Sequence, residues 1–285
     1  MTVKTWLLDW LSLRRAEVKP RTLESYDDLI TRYVIPAIGA IDIAALSPND
    51  LRHLLATIVA KGYTRTAELV YVMLKCAFQE LDFNPMNKVK RPKHHQARPL
   101  PWSDEQIRLY LSACSVHRHG LALSLALRLG LRRGEICGLR WQDIDFAAGI
   151  LHVCNQRQRM ANGMIVDCPP KSESSVRDIP LPADLIASLR KARGLPSAYL
   201  CALTPSGLNS AHRKLVENLG LPSIPLHGLR HSMASASLRH GGEMRALQDI
   251  LGHSSYTTTA NIYTHPDTAL KLAALDAAAF ACYTV

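Results

Sequence analysis

Apolar positions recur with helical spacing from the N-terminus to residue 81. Trp6, Leu7, Trp10 and Leu11 fall on one helix face, as do Tyr26, Leu29, Ile30 and Tyr33. Ser47-Pro48-Asn49-Asp50 predicts a helix start: a serine to cap free N–H groups, proline at the first helical position, and an acid in the first turn. A further helix is expected from Thr64 to Leu81, with Asn84-Pro85 as its stop. The pattern predicts a compact all-α bundle of four helices over residues 1–87.

Periodicity then lapses. Residues 84–99 contain Pro85, Pro92 and Pro99 together with Lys88, Lys90, Arg91, Lys93 and Arg98, and no acid. Prolines bar a regular helix, and like charges repel one another unless a polyanion lies nearby. Residues 88–98 are therefore expected to form an exposed basic linker that lies along nucleic-acid backbone. Beyond it, Ser103-Asp-Glu-Gln106 has the capping-box pattern, a helix spans about residues 119–129, and a short one follows Arg133. The period then changes. Ile150–Cys154 and Met164–Cys168 read as short strands around the polar turn Ala161-Asn162-Gly163, and Val176–Pro180 reads as a third. From Pro182 onward the signals are helical, and the last segment carries apolar Leu270, Leu272, Ala273, Leu275 and Phe280. It is expected to pack on its own domain or dock on a neighbour. The fold class is mainly α with a small antiparallel β-sheet, a mixed α+β domain over residues 99–285 following the all-α one.

Composition narrows the class. At 285 residues, 47% hydrophobic and 20% charged, the chain has enough apolar surface for two folded cores. Its net charge of +10 favours a polyanionic partner, because each lysine or arginine set on a phosphate releases condensed counterions. Seven cysteines are odd in number and include no Cys-x-x-Cys pair, which fits reduced thiols better than a disulfide framework or a zinc site. Asp9 interrupts the apolar N-terminal residues and no small-residue cleavage site follows, so no signal peptide is read. Nor does any apolar run reach the ~18 residues a membrane span needs. No membrane partner and no metal are expected.

The candidate chemistry lies mostly in the last third. His227-Gly-Leu-Arg230 is followed by Leu251-Gly-His253 and then by Tyr263, while Arg132 (in Gly130-Leu-Arg-Arg-Gly-Glu135) and Lys171 stand upstream. Such a set suits a phosphodiester under attack, with the phenol as nucleophile. The planar fork of an arginine holds two non-bridging oxygens and never loses its proton, which makes Arg132 and Arg230 the candidate clamp. His227 and Arg230, three apart, share a helix face. A histidine near its ordinary pKa of about 6.5 suits proton exchange with a phenol. Gly252 is expected to end a helix, so that His253 begins the next segment and can donate a hydrogen bond to phosphate. The Tyr263 phenol, with an ordinary pKa of about 10, needs nearby positive charge to become a nucleophile. His231 is expected to pack or cap.

In this order the motifs resemble the tyrosine recombinase, or phage integrase, family in its short two-domain form, as in Xer-type recombinases and simpler integrases. Gly130-Leu-Arg-Arg-Gly-Glu-Ile-Cys-Gly-Leu-Arg-Trp141 is similar to the family's first box, with Leu129 where threonine is usual. His227-Gly-Leu-Arg-His-Ser-Met-Ala234 is similar to the second, with Gly228 where an acid is common. The resemblance implies an all-α SAM-like core-binding domain ahead of a mixed α+β catalytic domain. It implies catalytic roles for Arg132, Lys171, His227, Arg230, His253 and Tyr263, and orienting roles for Glu135 and His265. Lys171 would be the β-hairpin lysine that protonates the departing 5′ oxygen, although Pro170 replaces the usual threonine and Arg177 is a rival for the position. Tyr256 comes seven residues too early for the nucleophile and Tyr283 belongs to the tail.

The implied function is site-specific recombination of duplex DNA through a 3′-phosphotyrosyl intermediate, with no cofactor. The implied partners are double-stranded DNA with a specific core site, three further copies in a homotetramer on two sites, and an accessory DNA-bending or directionality factor. The free protein would be a monomer, and the C-terminal helix would dock on a neighbour. The setting would be the cytoplasm of a prokaryotic cell or phage-infected host. Because the core-binding helices begin almost at Met1, no arm-reading domain is expected ahead of them. A type IB topoisomerase-like relaxation of supercoils and a catalytically silent DNA-binding regulator are the alternatives. The six filled family positions weigh against the second.

Overall fold

The computed structural model describes residues 1–94, 100–160, 162–170 and 175–252. The chain divides into two compact units, Met1–Arg98 and Pro99–Val285. The first is all helical: α1 (Val3–Arg14), α2 (Pro20–Leu29), α3 (Ile35–Ile38), α4 (Pro48–Ala60) and α5 (Thr64–Ala77). Their apolar faces meet in a core containing Leu7, Trp10, Ile30, Leu51, Met73, Leu74 and Phe78. A π-helical stretch, Ile30–Val34, joins α2 to α3. Pro36 lacks the N–H that would continue an α ladder, and the Ile35 N–H bonds back to the Ile30 carbonyl instead.

Capping follows the sequence closely at α4. The Ser47 hydroxyl accepts from the Asp50 N–H at 3.3 Å while the Asp50 carboxylate accepts from the Ser47 N–H at 3.0 Å. At α5 the expectation overran. The helix ends at Ala77, whose carbonyl accepts from the Trp6 indole at 3.2 Å, and the Lys75 carbonyl accepts from the Asn84 amide at 3.3 Å. Side chains from outside the helix take up its final carbonyls, and the chain turns away.

The expected linker does not begin as a free strand. Met86 and Val89 are buried in the first core, and the Lys88 carbonyl accepts from Arg52 at 2.8 Å. Arg91 donates to Glu68 at 2.7 Å, and His94 meets the Thr64 hydroxyl at 2.8 Å. Residues 88–94 are thus held on the first unit, with the side chains of Lys88, Lys90, Arg91 and Lys93 exposed.

The described residues of the second unit form α6 (Asp104–Val116), α7 (Gly120–Arg128), α8 (Arg133–Gly138), five short strands, α9 (Ala183–Ala192), α10 (Pro205–Asn218), α11 (Leu226–Arg239) and α12 (Met244–Leu251). Ser103 and Gln106 form the capping box of α6. Inside the core, the Tyr110 hydroxyl meets His212 Nδ1 at 2.9 Å, and His212 Nε2 meets the Ile224 carbonyl at 2.9 Å, so these buried polar atoms are paired. The strands β1 (Ile144–Asp145), β2 (Ile150–Val153) and β5 (Arg177–Pro180) form an antiparallel sheet in the order β1-β2-β5, with Leu151 opposite Ile179. A separate hairpin pairs β3 (Gln156–Arg159) with β4 (Ile165–Cys168). The sequence marks Ile150–Cys154 and Met164–Cys168 as the strands around the 161–163 turn. Instead, β4 pairs with an all-polar run that carries no hydrophobic alternation.

Candidate active site

Two glycines of the first box set the stage. Gly134 and Gly138 lie on α8 against β3: a Cβ on Gly138 would come within 2.8 Å of the Gln156 backbone, and one on Gly134 within 3.1 Å of the Arg157 carbonyl. The helix that opens after Arg132 therefore touches a strand backbone with nothing between them. Gly130, at φ +60°, turns the chain from α7 toward Arg132; a Cβ there would meet Met233 at 2.5 Å and Leu251 at 2.7 Å.

Arg132 caps α8 and is itself held by Glu135. The Arg132 N–H donates to one Glu135 oxygen at 2.8 Å and its Nη1 to the other at 2.7 Å. Nη1 also reaches the Ser175 hydroxyl at 3.4 Å, and Nη2 donates to the Gly252 carbonyl at 2.9 Å. A third of the Arg132 side chain remains exposed. Arg230, on α11, is 2% exposed; its Nη1 donates to the Gly130 carbonyl at 2.8 Å and its Nη2 to the Leu251 carbonyl at 2.5 Å. Arg177, on β5, donates from Nε to the Ile250 carbonyl at 2.5 Å and from Nη1 and Nη2 to Glu135 at 3.1 and 3.0 Å.

Three guanidinium groups thus meet three successive carbonyls, 250, 251 and 252, at the C-terminal end of α12. These carbonyls have no partner within the helix, and the negative end of its dipole favours cations. Gly252 stands in the left-handed conformation, φ 62° and ψ 51°, and closes the helix. The next residue in sequence is His253.

Glu135 is 1% exposed. Burial alone would raise its pKa, but the bonds and charge of Arg177, with the N–H and charge of Arg132, outweigh that and hold it below the usual carboxylate range. His227 lies one turn before Arg230 with its ring 4.9 Å from that of His231, edge to face. The structure corrects its expected ordinary pKa. Although the residue is exposed to solvent, crowding by protein atoms, followed by the charges of His231, Arg230 and Arg132, pushes His227 down to about 4. At neutral pH the imidazole is uncharged. Gly228 explains one departure from the family pattern: a Cβ there would lie 2.9 Å from Ile224 Cβ, which leaves no room for an acid.

The structure brings Arg132, Glu135, His227 and Arg230 to one place. Lys171, His253, Tyr263, His265 and Arg98 lie outside the described residues, as do Tyr256, the tail residue Tyr283 and the apolar segment that carries Leu270, Leu272, Ala273, Leu275 and Phe280. Sequence reasoning reached Arg177 only as a rival to Lys171. Its signal was strand alternation, since it stands two residues before buried Ile179 on the same face of β5. Among the described residues no group of three His, Cys, Asp or Glu side chains is placed to hold a metal ion, and no helix is long and apolar enough to cross a membrane.

Residues 103–269 match the model of the phage integrase family, and residues 2–58 match that of the phage integrase N-terminal SAM-like domain. The chain belongs to the phage integrase family, the tyrosine recombinases. It is 30% identical to the tyrosine recombinase XerC of Methylobacterium nodulans, over 94% of this chain and 90% of that one. It is also 30% identical to a XerC-like tyrosine recombinase of Caldanaerobacter subterraneus subsp. tengcongensis, over 58% of this chain and only half of that relative's length. Its fold matches the Tn1549 transposon integrase (aa 82–397) in complex with transposon right end DNA, at a TM-score of 0.82 and 23% identity, covering 98% and 100% of the two chains. It also matches a lambda integrase tetramer bound to a Holliday junction, at a TM-score of 0.72 and 20% identity, covering 94% and 79%. The recombinase is thus a mainly helical protein with small antiparallel sheets, its SAM-like domain preceding the tyrosine recombinase catalytic domain.

Proposed function

We propose that this recombinase cuts and rejoins duplex DNA through Tyr263, with the scissile phosphate held by Arg132 and Arg230. The observation that carries the reading is the convergence of both guanidinium groups on the end of α12, next to His253 in sequence. The Tyr263 phenol passes its proton to a neutral imidazole of the site and its oxygen attacks phosphorus, a 3′-phosphotyrosyl bond forms, and the 5′ oxygen leaves with a proton from Lys171. A 5′ hydroxyl of the partner strand then returns its proton to Lys171 and attacks the same phosphorus, and the phenol is released with the proton that the imidazole held. One phosphodiester is exchanged for another, so the cycle balances without ATP. Charge developing on the non-bridging oxygens falls on Arg132 and Arg230, while His227 and His253 donate hydrogen bonds and Glu135 and His265 orient them.

The same reading places a tetramer on two specific core sites in the prokaryotic cytoplasm, with residues 88–98 along the DNA backbone, residues 1–87 and 99–285 on the duplex, and the C-terminal helix docked on a neighbour. Accessory DNA-bending or directionality proteins would act on that assembly. A suicide substrate nicked beside the cleavage point tests the chemistry. Wild-type protein and Tyr256→Phe should both become trapped on the DNA 3′ end, Tyr263→Phe should bind but not trap, and Arg132→Ala should trap about 100- to 1,000-fold more slowly. A covalent adduct that persists in Tyr263→Phe removes the nucleophile and the reading with it.

A further inference from the structure

Arg177 takes no part in that chemistry, yet only 6% of its side chain is exposed. Burying a guanidinium is costly unless it is paired and fully bonded. Here it is both. Nη1 and Nη2 straddle the two Glu135 oxygens at 3.1 and 3.0 Å, Nη1 also reaches the Ser175 carbonyl at 3.0 Å, and Nε donates to the Ile250 carbonyl at 2.5 Å. One side chain therefore ties β5 to the first turn of α8 and to the last turn of α12.

The charge pattern gives this tie a purpose. Glu135 is the carboxylate that sets the direction of the Arg132 fork. A buried carboxylate facing Arg132 alone would cancel that arginine's charge where a phosphate anion must be attracted. Among the described residues of this cluster, Arg177 sets a third guanidinium beside those of Arg132 and Arg230 against the single Glu135 carboxylate, so that the carboxylate's charge is met by Arg177 and those of Arg132 and Arg230 are left for the phosphate. We propose that Arg177 is a positioning residue of the recombination reaction: it neutralises Glu135, so that Glu135 aims Arg132 without cancelling it, and it anchors the end of α12. The inference rests on Arg132 being a ligand of the scissile phosphate.

Single-turnover trapping on the suicide substrate tests the idea, with binding affinity and thermal melting measured on the same proteins. Arg177→Met should slow trapping about 100-fold with the Kd for DNA little changed, because the loss falls on the charge of the transition state. Adding Glu135→Gln to Arg177→Met removes the uncompensated carboxylate, and the double variant should trap at least about tenfold faster than Arg177→Met alone. A purely structural role predicts the opposite order, since two lesions in one network leave it less well held. Arg177→Gln, alone and with Glu135→Gln, is read alongside in case Arg177→Met unfolds, because its amide nitrogen falls near the place of Nε, which donates to the Ile250 carbonyl. A double variant no faster than its single parent overturns the proposal, as does an Arg177 variant that traps at the wild-type rate. Should Arg132→Ala also trap at the wild-type rate, the phosphate clamp itself is wrong; if Arg132→Ala is slow while the Arg177 variants are normal, only the role of Arg177 fails.

Discussion

At the scale of single residues, His227 departs furthest from its sequence expectation. Its identity and its place one turn before Arg230 were legible from a spacing of three, but its pKa was not. That value depends on protein atoms and on Arg132, which lies 95 positions away in sequence. Folding favours the neutral ring, so protonating it works against the fold: the stability this residue contributes above pH 6.5 is lost as pH falls toward the folded value of about 4. Thermal melts between pH 7 and 4 should therefore fall less steeply for His227→Asn than for wild type. Bound phosphate reverses the field, since a nearby anion stabilises the imidazolium. Imidazole NMR should show His227 titrating at higher pH on duplex DNA than in the free protein, and a pKa that stays put on DNA would remove His227 from the phosphate's surroundings.

At the scale of elements, most helices could be read because their start signals are local. Ser47 and Ser103 each cap the helix that their neighbours predict. The hairpin strand β3 was hidden because Gln156-Arg157-Gln158-Arg159 has no apolar alternation; its position is fixed from outside, by the backbone contact with α8. That contact depends on Gly134 and Gly138, whose spacing of four was visible in the sequence but whose partner was not. Gly138→Ala would place a methyl 2.8 Å from strand backbone, which cannot rotate away as a side chain can. Overpacking of this kind costs about 1–3 kcal/mol. The variant should melt at lower temperature and trap DNA more slowly, because α8 carries Glu135 and begins at Arg132. Gly62→Ala shows the other way a glycine can be required, since its φ is +84° and no neighbouring atom lies within 4 Å of the added Cβ. Gly138 is helical and carries no positive φ, so its loss can come only from the contact; a Gly138→Ala variant that melts at the wild-type temperature would show that the α8–β3 contact contributes nothing.

At the scale of the whole molecule, charge decides how the chain meets DNA. The net charge of +10 points to a polyanionic partner, and the segment 88–98 is its most concentrated source. The structure divides that segment by role. Arg91 is committed to Glu68, whereas Lys88, Lys90 and Lys93 are exposed, the Lys88 ammonium 5.8 Å from the Phe83 ring. Removing the three lysines and keeping Arg91 therefore alters charge while leaving the Glu68 pair intact. Each lysine withdrawn from a phosphate should lower the slope of log K against log salt by about 0.9, so the triple alanine variant should lose roughly two to three units if all three lysines lie on backbone phosphates. The loss should be the same on core-site and random duplex, because phosphate contacts carry no sequence information. Trapping at saturating DNA should be unchanged, since the proposed function gives that step to Arg132, Arg230 and Tyr263. A salt slope equal to that of wild type would confine these lysines to solvent and leave the +10 to act from elsewhere on the surface.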